Sequence, residues 1–203
     1  MKRILWMVLL LTTSYLLCYA QFEKGQVELS LIGNAGYQKE TTSSHSNSES
    51  VGHVLINACV GYYIVDGLSL EPQIGLLAIE NVKPSQSVLL NLSYTGRIAN
   101  SNIALFLRGG YGISNSISIP MFAYTPIRIQ DKWDVHILNV GAGVKFLIKE
   151  CATLRFELNY RTETYPYELH HYYYSGSYSY DYTESVDYTF SSLGLLFGIS
   201  IIL

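Results

Sequence analysis

Tyr188-Thr189-Phe190-Ser191-Ser192-Leu193-Gly194-Leu195-Leu196-Phe197-Gly198-Ile199-Ser200-Ile201-Ile202-Leu203 ends the chain. It carries no charge and no polar tail follows it. Successive side chains of a strand point to opposite faces. Leu193, Leu195, Phe197, Ile199, Ile201 and Leu203 therefore share one greasy face, while Gly194, Gly198 and Ser200, with Leu196 and Ile202, share the other. In water such a strand is an aggregation template. In lipid it is stable only within a closed barrel, where every backbone group finds a partner on a neighbouring strand. The rest of the chain must then supply the other staves.

At the opposite end, Met1-Lys2-Arg3 precedes an apolar run from Ile4 to Leu17, then Cys18-Tyr19-Ala20 and the polar Gln21-Phe22-Glu23-Lys24-Gly25. A short basic region, a short apolar core and a small residue before the cut describe a secretory signal peptide. Residues 1–20 are assigned to it, with cleavage after Ala20, and 21–203 to a single barrel domain. The apolar run falls short of the roughly 20 residues of a spanning helix. A lipid anchor on Cys18 would require a small residue where Leu17 stands.

Removing Lys2 and Arg3 from the 13 basic residues leaves 11 against 16 acidic, a net of −5. Nucleic acid is excluded as a partner on that balance. Of all residues 49% are hydrophobic, yet after Leu17 they are spread out and not gathered into a helix-length run. Strands that show half their residues to lipid produce that distribution. Cys59 falls mid-strand and Cys151 in a turn, so both are read as free thiols; no metal or other cofactor is expected.

Eight segments alternate. Val27, Leu29 and Leu31 oppose Glu28 and Ser30; Val54 to Ile64 oppose Asn57, Cys59 and Gly61; Leu68 to Leu76 oppose Ser69, Glu71 and Gln73. Val88 to Tyr94 oppose Asn91, Ser93, Thr95 and Arg97, and Ile103, Leu105 and Leu107 oppose Ala104 and Arg108. Leu138 to Ile148 oppose Asn139 to Lys145, and Leu154 to Tyr160 oppose Arg155, Glu157, Asn159, Arg161 and Glu163, before the terminal segment. Each is about the length a tilted strand needs to cross a bilayer. The connectors predicted between them, 38–50, 65–67, 80–87, 98–101, 114–133, 149–151 and 166–187, alternate long and short. Short inner turns, longer outer loops and both termini inside follow for a membrane barrel of even strand number. Tyr37, Tyr111, Trp133, Tyr165 and Tyr188 then fall at the outer interface, and Tyr62, Tyr94 and Phe146 at the inner one. The fold predicted is all-β, an eight-stranded antiparallel up-and-down transmembrane β-barrel. The rival is a soluble barrel of lipocalin type, which would turn the apolar face inward.

With its signal peptide, Leu68-Ser69-Leu70-Glu71-Pro72 after a short turn, the Gly109-Gly110-Tyr111-Gly112 and Gly141-Ala142-Gly143 patches and the terminal strand, the mature chain resembles the eight-stranded outer-membrane proteins of Gram-negative bacteria, the OmpX, OmpA-barrel and opacity-type group. The resemblance implies a monomer in the outer membrane, with lipid as its surroundings and the C-terminal strand as the signal to the barrel-assembly machinery. The family's last residue is usually aromatic; here it is Leu203.

Two groups of residues are candidates for function. Inward-facing Glu28, Glu71, Arg97, Arg108, Lys145, Arg155, Glu157, Arg161 and Glu163 are predicted to form a polar network. An eight-stranded barrel is just wide enough for side chains to fill, so these charges should pair and leave no open channel, with a small pore as the alternative. Outside, the loop 166–187 holds Tyr172, Tyr174, Tyr178, Tyr180 and Tyr182. A turn at Ser175-Gly176-Ser177 would align Tyr172 and Tyr174 with Tyr180 and Tyr178 on one face of a protruding ribbon. Rigid amphipathic rings among Ser and Gly suit recognition of an extracellular protein or glycan. A lipid-modifying enzyme would draw on His45, His53 or His136, with Glu49, Ser50 and Asp134 nearby. No nucleophile and base stand at a telling spacing, and a low-complexity tip such as Thr41 to Ser50 does not hold catalytic geometry. No catalytic residue is assigned.

Overall fold

The computed structural model describes residues 22–39, 50–80, 84–115, 133–149, 151–175 and 178–203. The segment read as a signal peptide and the low-complexity tip around His45 lie outside these. The strands are β1 (Val27–Lys39), β2 (Ser50–Val65), β3 (Leu68–Ile79), β4 (Ser85–Arg97), β5 (Ile103–Ser114), β6 (Val135–Lys149), β7 (Ala152–Ser175) and β8 (Tyr178–Ile202). Each pairs antiparallel with its neighbours in sequence, and β8 returns to β1 to close the barrel. There is no helix among the described residues.

The alternation read from sequence sets the two surfaces. Leu29, Leu31, Ile56, Leu90, Leu105, Leu138, Leu158, Leu195 and their like are exposed on the outside, while Glu28, Asn91, Arg108, Lys145, Arg155 and Glu157 are buried within. The burial of β3 runs buried and exposed by turns along nearly its whole length. An apolar exterior around a charged interior is the reverse of a protein that folds in water. The lipocalin-type arrangement, apolar face inward, is thereby overturned.

The inner turns are tight. Asp66-Gly67 links β2 to β3, and Gly67 holds φ +77°, a left-handed value that a side chain resists. The register shifts between Tyr63 and Val65, and again between Leu147 and Lys149, next to two of these turns.

The predicted connectors need correction on the outer side. Residues 166–187 are not a loop: β7 runs to Ser175 and β8 begins at Tyr178. β4 likewise begins at Ser85, shortening the β3–β4 connector. The strict long-and-short alternation therefore fails. The prediction ended strands where the apolar-outward pattern ended, but hydrogen-bonded pairing continues beyond it.

Candidate functional site: lumen network and outer ribbon

The lumen is built in layers from the inner mouth upward. Phe22, Tyr63, Ala104, Leu147 and Ile202 form an apolar cluster at the bottom. Phe22 lies before β1 and is only 1% exposed, its ring 5.6 Å from that of Tyr63. Its carbonyl accepts from the Gly67 amide, and the Gly25 amide donates to the Tyr63 carbonyl, so the chain entering β1 is fastened across the β2–β3 turn.

Charge sits directly above. Lys145 Nζ donates to Glu28 Oε2 at 2.7 Å, and the Tyr63 hydroxyl donates to the same oxygen at 2.6 Å. The ammonium also lies 5.2 Å from the Phe22 ring centroid and 5.5 Å from that of Phe106. Higher, Arg108 Nη2 donates to Glu157 Oε1 at 2.7 Å and Nη1 to Gln73 Oε1 at 2.9 Å. Arg155 stacks over Phe106 at 4.2 Å and donates from Nε to Glu157 Oε2 at 3.2 Å. Its Nη2 is 3.0 Å from that oxygen in a geometry that makes an ion pair without a second hydrogen bond. Glu71 Oε2 lies 3.7 Å from Arg155 and 3.9 Å from Arg108. Three cations, Arg108, Lys145 and Arg155, thus face three carboxylates, Glu28, Glu71 and Glu157. A buried charge is tolerable only when so compensated.

Neutral amides complete the layer. Gln73 donates to Asn57, Asn91 donates to Gln73, Asn139 to Asn91, and Asn159 to both Asn139 and Glu157. This chain of side chains crosses the lumen wall from β2 to β7. Gly141 makes room for it, since a Cβ there would collide with the Glu157 carboxylate.

Of the nine charges predicted inside, seven are buried: Glu28, Glu71, Arg108, Lys145, Arg155, Glu157 and Glu163. Arg161 pairs with Glu163 at 2.6 Å, its own side chain 11% exposed, near the outer end. Arg97 stands at the end of β4, where its Nε donates to the Ser101 carbonyl in the β4–β5 turn. Phe22 and Tyr63 were missed by the sequence reading. Phe22 precedes the first alternating segment, and Tyr63 is an aromatic on the face expected to be polar.

The β7–β8 ribbon changes character where it leaves the barrel. β7 keeps its β6 partner up to His136↔Thr164 and, among the described residues, continues with β8 alone to Ser175↔Tyr178. Below Ser191, the outward face of β8 is apolar and the lumen face small or polar in large part. Above it the pattern inverts: positions 178, 180, 182, 184, 186, 188 and 190, on the face continuous with the lumen, are Tyr, Tyr, Tyr, Glu, Val, Tyr and Phe. Positions 179, 181, 183, 185, 187 and 189, on the outward face, are Ser, Asp, Thr, Ser, Asp and Thr. Tyr165 stacks on Tyr188 and Phe190 at 5.8 and 6.0 Å on the lumen-side face. Tyr165 and Tyr188 are thus not outward girdle residues. Tyr111 and Trp133 on the outer side, and Tyr62 and Phe146 on the inner side, are exposed in the manner expected. On the outward face the Thr164 and Thr189 hydroxyls meet at 3.1 Å, and Tyr111 meets His136 Nδ1 at 2.6 Å.

The predicted tyrosine alignment also needs correction. Ser175 pairs with Tyr178, so Tyr173 stands opposite Tyr180, Tyr172 opposite Asp181 and Tyr174 opposite Ser179. The expected turn at Ser175-Gly176-Ser177 was one residue too long, and a one-residue slip exchanges the faces. Tyr178, Tyr180 and Tyr182 occupy positions on the lumen-side face, and Tyr172 and Tyr174 positions on the outward one.

These features define a class: a closed eight-stranded antiparallel barrel, apolar without and ionic within, that carries a two-stranded ribbon past its rim. Among the solved structures similar to this chain are two barrels. One is the N-terminal β-barrel domain of Pseudomonas aeruginosa OprF, at 13% identity and TM-score 0.49, covering 89% of this chain and 98% of that one. The other is Neisserial surface protein A, at 14% identity and TM-score 0.48, covering 88% and 97% respectively. No family model matches the chain, and no curated protein matches it.

Proposed function

We propose that this chain is an outer-membrane barrel of a Gram-negative bacterium that presents the β7–β8 ribbon as a surface-recognition element, with a closed lumen beneath it. The observation that carries this reading is the inversion of the β8 pattern at Ser191. A strand buried in lipid keeps apolar residues outward; from Thr189 upward the outward residues are polar, so the ribbon stands in water. There its aromatic face has no lipid to cover it, and the Tyr165–Tyr188–Phe190 stack offers rigid contact area for an extracellular protein or glycan.

The lumen's role in this reading is structural. The balanced ion pairs and the Phe22–Tyr63 cluster leave the inner mouth filled, which supports a barrel that does not conduct, and no catalysis is assigned to it. Deleting residues 169–183 in a Tyr165→Ser, Tyr188→Ser, Phe190→Ser background tests the recognition role. Binding to protein and glycan arrays should be lost while the barrel still needs detergent and still shows heat-modifiable migration. Binding that survives the deletion would overturn the proposal. Stable stepwise currents from pure protein in planar bilayers would overturn the closed lumen.

A further inference from the structure

The barrel closes over a short seam. β1 pairs with β8 only from Glu28↔Ile202 to Gly33↔Phe197. On its other edge β1 stays paired with β2 to Lys39↔Ser50, and β8 stays paired with β7 throughout. Continued in register, residues 34–39 would meet 196–191, but among the described residues no ladder joins them. At about 3.3 Å per residue, each of these two stretches is about 20 Å long.

The slit lies in the outer half of the apolar belt, with Leu193 and Leu195 exposed along it. Its inner lip is also apolar: Ile32, Leu196, Cys59 and Leu55 pack together, in a lumen otherwise dominated by charges and amides at this depth. At its lower end is an open depression of about 510 Å³ lined by Leu31, Ile56 and Phe197 on the outward face and by Ile32, Leu55, Asn34 and Arg155 on the lumen-side face, Arg155 being paired with Glu157. That is within the size range of small-molecule sites. Asn34 Oδ1 is buried there with no hydrogen-bond partner. An unpaired polar group at hydrocarbon depth is strongly disfavoured.

A ligand that fits must be apolar along most of its length, to lie against Leu31, Ile56 and Phe197 below and Leu195 above. It must also offer a hydrogen-bond donor between them, since Asn34 Oδ1 can only accept. We propose that the β1–β8 slit is a lateral binding site for a hydroxylated acyl chain, which enters from the outer leaflet and donates its hydroxyl to Asn34. A plain acyl chain would fill the groove and leave the carboxamide oxygen bare. The inference rests on the membrane placement proposed above and is independent of the ribbon's role.

The test uses the full chain folded in detergent, with a stearate hydroxylated at mid-chain and plain stearate as probes, read by native mass spectrometry. One hydroxystearate should be retained per barrel, about tenfold more tightly than stearate, the range of one net hydrogen bond. Asn34→Leu should reduce hydroxystearate to the level of stearate. In a Cys59→Ala, Cys151→Ser background, Tyr37→Cys with Leu193→Cys would join an outward-facing pair of the continued register across the slit, above the residues that contact the ligand. Oxidation should expel both probes and reduction restore them. Equal retention of the two probes, no effect of Asn34→Leu, or full binding to the oxidised barrel would each overturn the site. If the pair does not oxidise, the Asn34→Leu comparison decides alone. Heat-modifiable migration of the same samples separates the two readings: a chain that folds without detergent defeats the membrane placement, whereas a folded barrel with no bound probe defeats only the slit.

Discussion

Glu28 on β1 and Lys145 on β6 meet across the lumen at 2.7 Å, in a contact that Tyr63 completes by donating to the same carboxylate oxygen. Both side chains are essentially inaccessible to water. Their attraction holds the two walls of the barrel together just above the Phe22 cluster.

Lys145→Met leaves the Glu28 carboxylate with the Tyr63 hydroxyl and the more distant Ser30, and no adjacent cation. Breaking one side of a buried pair costs about 3–5 kcal/mol, much more than replacing both partners. The single substitution should lower the urea midpoint of the detergent-folded barrel sharply, and Glu28→Gln added to it should recover most of the loss. A double variant as unstable as the single one would show that the pair acts independently of charge compensation.

Gly141 stands where Glu157 crosses the lumen toward Arg108. Gly141→Ala places a methyl group against that carboxylate, a case of overpacking that typically costs about 1–3 kcal/mol. Ala142→Gly, at the neighbouring outward position, should not displace Glu157. Equilibrium unfolding of the two variants distinguishes a steric requirement at position 141 from a general preference of β6.

What the sequence made legible follows from the period-two pattern. Leu193 through Leu203 identified the outward face of β8, and Glu157 and Arg155 the lumen, because each strand must show one face to either medium. The same reading stopped at Tyr188, since it sought apolar residues outward, whereas YSYDYTESVDYTF from Tyr178 to Phe190 alternates in the opposite phase, broken only at Glu184. That inverted alternation was the available signal for the ribbon. Phe22 carried no periodic signal at all. The short β1–β8 seam had none either, because it depends on where two strands distant in sequence come to lie, and not on the pattern of either one.

Ile74 is 66% exposed near the middle of β3, on the face read as lying in hydrocarbon. Ile74→Lys should cost about 2–4 kcal/mol in lipid vesicles, while Thr164→Lys, at the outer end of the β6–β7 ladder, should cost about 0–1. The comparison is made by unfolding in vesicles. Equal costs at the two positions would contradict the depth assigned to them.

Among the described residues, the ribbon above Thr164↔Thr189 has two strands, whereas below that pair β7 is held on both edges. An isolated hairpin is marginal in water, so amides of 166–174 and 179–187 should exchange hydrogen through local opening. Those of 154–162 should require the barrel itself to open. Tyr188→Ser removes the ring that Tyr165 stacks on, an interaction of about 0.5–1.5 kcal/mol. Exchange should then quicken by up to about tenfold in the ribbon and stay unchanged in 154–162, as followed by mass spectrometry of the detergent-folded protein. Faster exchange along the whole of β7 would mean that ribbon and barrel unfold as one unit. The ribbon could then not be removed, as its proposed recognition role requires, without unsettling the barrel below.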